Sequence, residues 1–350
     1  MKRARAASGL SMKALGDQVG VSANMIKKYE HDESMPSSGV LIKLARTLDV
    51  RSEYFFRSGN IKLTRVEYRK RSNTPKSLLK RIEADVLEQA ERWQELANLW
   101  PRFPISTFSG ITSLPARLDD LEQVEKVAER VRVAWKLGMN PIPDLIDLFE
   151  SHGVLVIITE VDERAKFSGL QALVAEQPVV VISANWPGDH QRFTLAHELG
   201  HLILHKRLGS TLDEEKACHR FAGAFLLPAV SIRLQLGKKR HDLELYELYL
   251  LKHEFGLSMQ ACLYRAADLG IINEPTCKRL FKFFSSQGWR KKEPGKACPS
   301  ERAVLFKKLV HRALGEGIIS EPKAAELLKI SPMAFHKIRS LESPGAGLQL

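Results

Sequence analysis

Residues 191–205 read QRFTLAHELGHLILH, and this stretch decides how the centre of the chain folds. Its apolar residues recur at helical spacing and are Phe193, Leu195, Ala196, Leu199, Leu202, Ile203 and Leu204. We therefore predict a helix here. His197 and His201 are four residues apart, so their side chains project from the same side of that helix, one turn apart.

The two histidines have the spacing of a metal site. Two neutral imidazoles one turn apart can bind the same Zn²⁺ ion. Glu198 follows His197 and lies off the ligand axis, where its carboxylate can accept a proton from an attacking water molecule. The His-Glu-x-x-His pattern therefore predicts two metal ligands and a general base on one helix.

A catalytic zinc ion normally has three protein ligands and one open position, so a third ligand must come from elsewhere. His205 lies about 12 Å along the helix axis from the first histidine, too far to share its ion. Arg207 stands where a metzincin would need histidine, which excludes that class. The next predicted helix starts near Asp213 and ends before Pro228, in the stretch DEEKACHRFAGAFLLP. It offers Glu215 and His219, and either could reach the ion.

HELGHLILH followed by EEKACHRFAGAFLLP resembles the ImmA/IrrE family of zinc metallopeptidases. In that family, the carboxylate six residues before the Phe of a Phe-Ala pair is the third zinc ligand. Here Glu215 stands in that position before Phe221 and Ala222. The resemblance implies a gluzincin-like zinc hydrolase with Zn²⁺ as its cofactor.

The resemblance also implies a role for each side chain. His197, His201 and Glu215 would be the zinc ligands, and Glu198 the general base. His219 replaces a frequent Asn and is an alternative ligand, or else a residue that orients Glu215 or a substrate carbonyl. The alternatives are a structural or sensory zinc site, and buried histidines that bind no metal.

Residues 3–56 predict a run of short helices with tight breaks. Ser22 can cap the third helix. If Ile26 faces inward, Asn24, Lys27 and Lys28 share the opposite face of that helix, where asparagine can read adenine and lysine can read guanine or a phosphate.

The stretch from Leu10 to Val50 resembles the helix-turn-helix of the phage-repressor (Xre/Cro) family. That resemblance implies DNA contacts by Ser22, Asn24 and the two lysines that follow, Lys27 and Lys28. The alternative is a small helical bundle that binds only protein.

The charge of the chain is unevenly distributed. Its 350 residues carry a formal net charge of +12, which favours an anionic partner such as nucleic acid. Residues 119–277 nevertheless hold 17 basic and 23 acidic residues, whereas residues 278–312 hold 11 basic and 2 acidic ones. The second stretch either contacts DNA phosphates or an acidic partner, or is an ordinary solvated surface.

The compartment is predicted from cysteines and hydropathy. Four cysteines without a Cys-x-x-Cys pair favour a reducing environment. The longest apolar run, residues 154–158, is too short to span a bilayer, and the first residues lack a signal-peptide pattern. We expect a cytoplasmic protein.

We expect an α+β, mostly α fold with four parts. These are an all-α helix-turn-helix domain (1–58), an amphipathic helix and linker (59–118), a zincin-like metallopeptidase domain with a small sheet (119–275) and a basic helical extension (276–350). Within the third part, the strand at residues 179–183 is a candidate to pair with an extended substrate.

The resemblances imply cleavage of a helix-turn-helix transcription repressor in a stress response, a prophage or a mobile element. The expected partners are double-stranded operator DNA and that repressor, with a homodimer as a further possibility and no membrane. The alternative is a non-catalytic zinc-sensing transcription regulator or an antitoxin-like DNA-binding protein.

Overall fold

The computed structural model describes residues 1–50, 52–56, 63–69, 75–111, 113–160, 167, 169–174 and 176–342. The described residues form sixteen α-helices, one 3-10 helix and a four-stranded sheet, which confirms the α+β, mostly α fold class. No described helix is long and apolar enough to cross a membrane. Residues 58 and 59, at the predicted boundary between the first two parts, and residues 343–350, at the end of the predicted extension, lie outside the described residues.

The N-terminal part is a small helical unit with its own core. Its helices are α1 (Lys2–Ala7), α2 (Met12–Val19), α3 (Ala23–Glu30) and α4 (Ser38–Thr47), followed by the 3-10 helix Ser52–Phe56. The hydroxyl of Ser22 accepts a hydrogen bond from the Met25 backbone N–H and so caps α3, as predicted. Gly20 ends α2 with a φ of 82°, and a Cβ at Gly16 would lie 2.5 Å from the Val21 carbonyl oxygen. These two glycines allow the tight turn between α2 and α3.

One mixed sheet lies at the centre of the molecule. Its strands are β1 (Leu63–Arg69), β2 (Leu155–Thr159), β3 (Gly169–Val174) and β4 (Gln177–Ser183), in the spatial order β1-β3-β4-β2. β2 runs parallel to β4, and the other two pairs are antiparallel. β1 was not predicted, so the segment assigned to a linker contributes an edge strand to the sheet.

The sheet separates two hydrophobic cores. Side chains along a strand alternate between its faces, and in β2 Val156 belongs to one core while Leu155 and Ile157 belong to the other. The first core is covered by the helices that carry the predicted metal site. The second is covered by α5 (Lys76–Leu99) and by the C-terminal helices.

Helices cover both faces of this sheet. Those after α5 are α6 (Leu121–Ala134), α7 (Leu145–Ser151), α8 (Gly188–Leu204), α9 (Glu214–Leu226), α10 (Ala229–Leu236), α11 (Leu245–Phe255), α12 (Met259–Asp268), α13 (Glu274–Ser286), α14 (Leu305–Gly315), α15 (Glu321–Leu327) and α16 (Pro332–Arg339). The helices α10, α13 and α16 were not predicted.

The long helix α5 connects the N-terminal unit to the rest of the molecule. Helix α1 packs on it, and Arg3 forms an ion pair with Glu91. On the C-terminal side, Lys329 Nζ lies 2.8 Å from Glu88 Oε1, and Arg92 donates to the Leu327 carbonyl at 2.9 Å. Helix α5 therefore contacts both terminal parts of the chain.

A buried ion network holds α6, α9 and α12 together behind the predicted metal site. Glu125 on α6 accepts hydrogen bonds from Arg265 Nη1 at 2.6 Å and Arg220 Nε at 2.7 Å. Burial raises the pKa of Glu125, but hydrogen bonding and charge from the two arginines outweigh this and hold the pKa below its usual value. The carboxylate is therefore stabilised in its ionised form.

We predict that Glu125→Ala lowers the free energy of unfolding by about 3–5 kcal/mol, because it leaves Arg265 buried without its counter-ion. Urea unfolding measures the change. Glu122→Ala is the control on the same helix, since its ion pair with Lys126 is exposed, and should change little. The Glu125 contribution is fully present above the ordinary glutamate pKa and is lost as the pH falls through the lowered folded-state pKa. A loss in Glu125→Ala no larger than in the control would contradict the assignment.

Candidate metal centre and DNA-binding surface

Helix α8 places the two predicted histidine ligands side by side in the interior. His197 is fully buried and His201 nearly so, and their Nε2 atoms are 3.0 Å apart. The helix is buried along almost its whole length, as expected for a segment that is apolar on most sides. Glu198 is also buried on this helix, 1% exposed. His205, in contrast, is exposed at the end of the helix, away from the pair.

Helix α9 brings Glu215 to the histidines. Glu215 Oε2 is 3.5 Å from the Nε2 atom of His197, and Glu215 Oε1 is 3.4 Å from that of His201. Ligand atoms bound at about 2.0–2.1 Å in tetrahedral geometry lie about 3.3 Å from one another. Two imidazole nitrogens and a carboxylate also form a donor set that zinc prefers. These residues therefore fit a Zn²⁺ ion in both chemistry and spacing.

The meeting of these side chains depends on close packing between α8 and α9. Gly200 lies at the contact, where an added Cβ would be 3.3 Å from Cα and Cβ of Cys218 and from a ring carbon of Phe221. The next helix is fixed at its start by Asp213, whose carboxylate caps α9 by accepting from the Lys216 backbone N–H at 2.8 Å. The two helices therefore have little room to separate without loss of the site.

His219 lies beside the site, one turn after Glu215. Its ring centroid is 4.6 Å from that of His197, and its Nδ1 is 2.6 Å from the Glu215 carbonyl oxygen. A carbonyl can only accept, so Nδ1 carries a proton and Nε2 is a lone pair in the neutral ring. Neutral His219 can thus offer Nε2 to a metal or to a substrate N–H, whereas orienting a substrate carbonyl requires the imidazolium.

Two further residues of the site were not predicted. Glu214 Oε1 lies 3.1 Å from His201 Nδ1, so this carboxylate accepts the Nδ1 proton and leaves the Nε2 lone pair for a metal. Cys218 is buried, and its sulfur lies within 4.8 Å of donor nitrogens on His197 and His201. The adjacent acidic residues at the start of α9 are the sequence signal that could have indicated Glu214. The position of Cys218 beside the histidines follows only from helix packing.

A cleft of about 540 Å³ opens next to these side chains, between α8, α9 and α12. Phe193, His219 and Tyr264 line it, together with the carboxylate of Asp268. The ring of His219 thus faces the cleft on one side and touches His197 on the other. The cleft therefore adjoins the candidate metal centre through His219.

The expected pairing of a substrate with residues 179–183 is wrong. These residues lie in β4, which is hydrogen-bonded to β3 on one side and to β2 on the other. Both edges of the strand are occupied, so no backbone groups remain for an added strand.

The predicted DNA-contacting residues lie together on the N-terminal unit. Ser22, Asn24, Lys27 and Lys28 are exposed at the start and along the outer side of α3, while Ile26 is fully buried. The Ser22 hydroxyl accepts the cap hydrogen bond and keeps its proton to donate to a phosphate. The arrangement is that of a helix available to the major groove.

Two family models match separate parts of the chain. Residues 1–55 match the family model described as helix-turn-helix, and residues 149–267 match the one described as IrrE N-terminal-like domain. The chain thus has the predicted architecture of a helix-turn-helix domain and an IrrE/ImmA-like peptidase domain. These matches support DNA binding and a metallopeptidase-like domain. No curated protein matches the chain.

We predict that Glu215→Ala weakens zinc binding more than Glu214→Ala does. The first change removes a ligand, whereas the second removes only the partner of His201 Nδ1 and should cost about 10–100-fold in affinity. Competition with a chromophoric chelator measures both affinities. Lys216→Ala, exposed on the same turn, is the control and should leave zinc affinity unchanged. Equal affinity in Glu215→Ala and the wild type would remove Glu215 from the ligand set.

Proposed function

We propose that the chain is a cytoplasmic, DNA-binding, zinc-dependent endopeptidase that cleaves a helix-turn-helix transcription repressor. The proposal rests on three donor groups, from His197 and His201 on α8 and Glu215 on α9, whose ligand atoms lie 3.0–3.5 Å from one another. Glu198 lies on α8 next to the first of them. The domain match over residues 149–267 supports the peptidase class.

The chemistry follows from the roles of these side chains. His197, His201 and Glu215 would hold a Zn²⁺ ion, which when bound would supply Lewis-acid activation of a peptide carbonyl and of water near neutral pH. Glu198 accepts the proton of the attacking water and passes it to the leaving amine. Glu214 keeps His201 in the tautomer that presents Nε2 inward. The cleft lined by Phe193 and Tyr264 holds an apolar side chain of the substrate near the cleaved bond.

The N-terminal domain determines where the peptidase acts. Asn24, Lys27 and Lys28 bind operator DNA, and α1 packs on α5, which joins the peptidase sheet through the second core. DNA binding therefore brings the peptidase to the operator that its repressor target occupies, or to the operator of its own gene. The homodimer stays a prediction.

Cys218 favours a second candidate function, a zinc-sensing transcription regulator without catalysis. Together with His197 and His201 it forms a fully buried donor set, and a site closed to solvent in this way suits a structural or sensory ion. The two candidates use different third ligands, so Cys218→Ser and Glu215→Ala separate them by their effects on zinc affinity.

We predict that Glu198→Gln abolishes proteolysis while zinc stays bound. Loss of the general base should lower the cleavage rate by at least about 100-fold. The measurement incubates zinc-loaded protein with purified helix-turn-helix repressors of the same host and follows their cleavage by mass spectrometry. His197→Ala is the comparison and should lose both zinc and activity. Cleavage by Glu198→Gln at the wild-type rate would contradict the mechanism, and zinc-dependent DNA binding without any cleavage would support the sensor.

We predict that Lys27→Ala and Lys28→Ala each weaken operator binding. A lysine on a phosphate contributes about one unit to the slope of log affinity against log salt concentration, so each variant should reduce the slope by about one. Titration of labelled operator DNA at several salt concentrations measures this. Lys126→Ala removes an exposed lysine from the peptidase domain and should change neither affinity nor slope. An unchanged slope in both α3 variants would contradict DNA binding by this helix.

A further inference from the structure

The last two helices, α15 and α16, repeat the geometry of α2 and α3 in the N-terminal unit. In each pair a short turn joins two helices, and the second helix has eight residues. The backbone N–H of Val21 donates to the Gly16 carbonyl at 3.0 Å, and that of Ile330 donates to the Ala325 carbonyl at the same distance. The same hydrogen bond therefore closes both turns.

The backbone of the two turns also corresponds residue by residue. Gly20 has a φ of 82°, and Lys329, in the equivalent position, has a φ of 57°. Two residues later each chain has a serine that caps the second helix by accepting from a backbone N–H, Ser22 at 3.2 Å and Ser331 at 3.1 Å. A residue other than glycine rarely adopts a positive φ, so the lysine indicates that this turn requires the left-handed conformation.

The second helices of the two pairs are buried in the same pattern. Four residues after the capping serine, each has a fully buried residue, Ile26 in α3 and Phe335 in α16. The next two positions are exposed in both helices, and α16 holds His336 and Lys337 where α3 holds its two lysines. Helix α14 packs against this pair, since the ring of His311 stacks on Phe335 with centroids 5.4 Å apart. Helices α14–α16 thus form a three-helix unit with α16 at its surface.

The exposed side of α16 is basic. The helix carries Lys337 and Arg339 and has no acidic residue. Glu321, at the start of α15, pairs with Arg339 at 2.8 Å and lies 3.2 Å from His336 Nδ1. Lys337 forms no ion pair with any residue that the structure describes, and Met333 is 72% exposed one turn before it. This surface offers a cation for a phosphate and an apolar side chain for a thymine methyl group.

The C-terminal unit lies beside the N-terminal one. Ser331 and Pro332, at the start of α16, and Ala45 and Arg46 of α4 line one groove of about 460 Å³. Both residues of α16 are nevertheless exposed. The N-terminal unit therefore leaves the start of α16 accessible.

We propose that α14–α16 form a second helix-turn-helix unit and that α16 binds double-stranded DNA. Lys337 binds a backbone phosphate, the Ser331 hydroxyl donates to a phosphate at the start of the helix, and Met333 faces base edges in the major groove. DNA is favoured over an acidic protein surface because α16 shares its capping serine, buried anchor and exposed basic positions with α3, whose unit matches the helix-turn-helix family model. The proposal rests on the DNA-binding part of the proposed function and not on the peptidase.

The test locates DNA contacts on the full-length protein by photo-crosslinking. The four native cysteines are buried, so a cysteine introduced on the surface can be labelled selectively with a benzophenone maleimide. Met333→Cys places the label on α16 and Asn24→Cys places it on α3, while Ser285→Cys, on the exposed side of α13, is the control. The probe is a random-sequence library of duplexes of about 40 base pairs, roughly four helical turns. We expect the first two labels to crosslink to DNA at least about tenfold more than the control.

The outcomes separate this proposal from the proposed function. Crosslinking from Asn24→Cys alone would overturn the second DNA site and leave DNA binding by α3 intact. Crosslinking from Met333→Cys alone would support the second site and contradict DNA binding by α3. Crosslinking of the Met333→Cys label to a second protein molecule instead of DNA would make α16 a protein interface and would overturn the proposal.

A salt titration tests the charge of α16 separately. Lys337→Ala should reduce the slope of log affinity against log salt concentration by about one for the same duplexes, because one phosphate contact is lost. Lys282→Ala is the matched control, since it removes an exposed lysine from α13, and should leave the slope unchanged. An equal slope in Lys337→Ala and the wild type would overturn the phosphate contact on which the proposal depends.

Discussion

The close contact between α8 and α9 is the constraint on which the candidate metal centre depends. The two histidines share one helix and are correctly spaced by helical geometry alone, but the third donor reaches them only because Gly200 lets α9 approach. The same approach places Glu214 on the Nδ1 atom of His201. Behind α9, the ion network of Glu125 ties this helix to α6 and α12, so the position of the ligand helix is fixed from both sides. A site built on packed helices in this way holds its donors more rigidly than a site on loops.

The central sheet extends this rigidity to the rest of the molecule. Because side chains of β2 alternate between the two cores, this one strand contributes to the packing on both faces of the sheet. Helix α5 covers that second face and carries α1 of the helix-turn-helix domain. The helix-turn-helix domain and the IrrE-like domain are therefore in contact through packed elements. Residues 59–118, expected as an amphipathic helix and linker, supply both α5 and the edge strand β1.

Features that lie within a single helix could be predicted from the sequence. Helix α8 was predictable because its apolar spacing and its two histidines lie within one continuous stretch, and the cap of α3 was predictable from Ser22. Strand β1 was missed because its seven residues, LTRVEYR, contain three charged ones and no continuous apolar run, and because it is an edge strand that pairs with β3 alone. The roles of Glu214 and Cys218 depend on where a second helix packs, and no periodicity within either helix contains that information.

The pairing of charges in the basic stretch, residues 278–312, likewise could not be predicted from the sequence. Its only two acidic residues, Glu293 and Glu301, are internal anchors: Glu293 pairs with buried Lys252 and caps the start of α12, and Glu301 pairs with Arg192 and caps α7. Several of its basic residues are in turn paired with acids outside the stretch, namely Lys278, Arg279, Lys308 and Arg312. A sum along the sequence therefore overstates the free charge, because charges are compensated across elements and not along the chain. An anionic partner is consequently better matched by the exposed lysines of α3, Lys27 and Lys28, than by this larger basic segment.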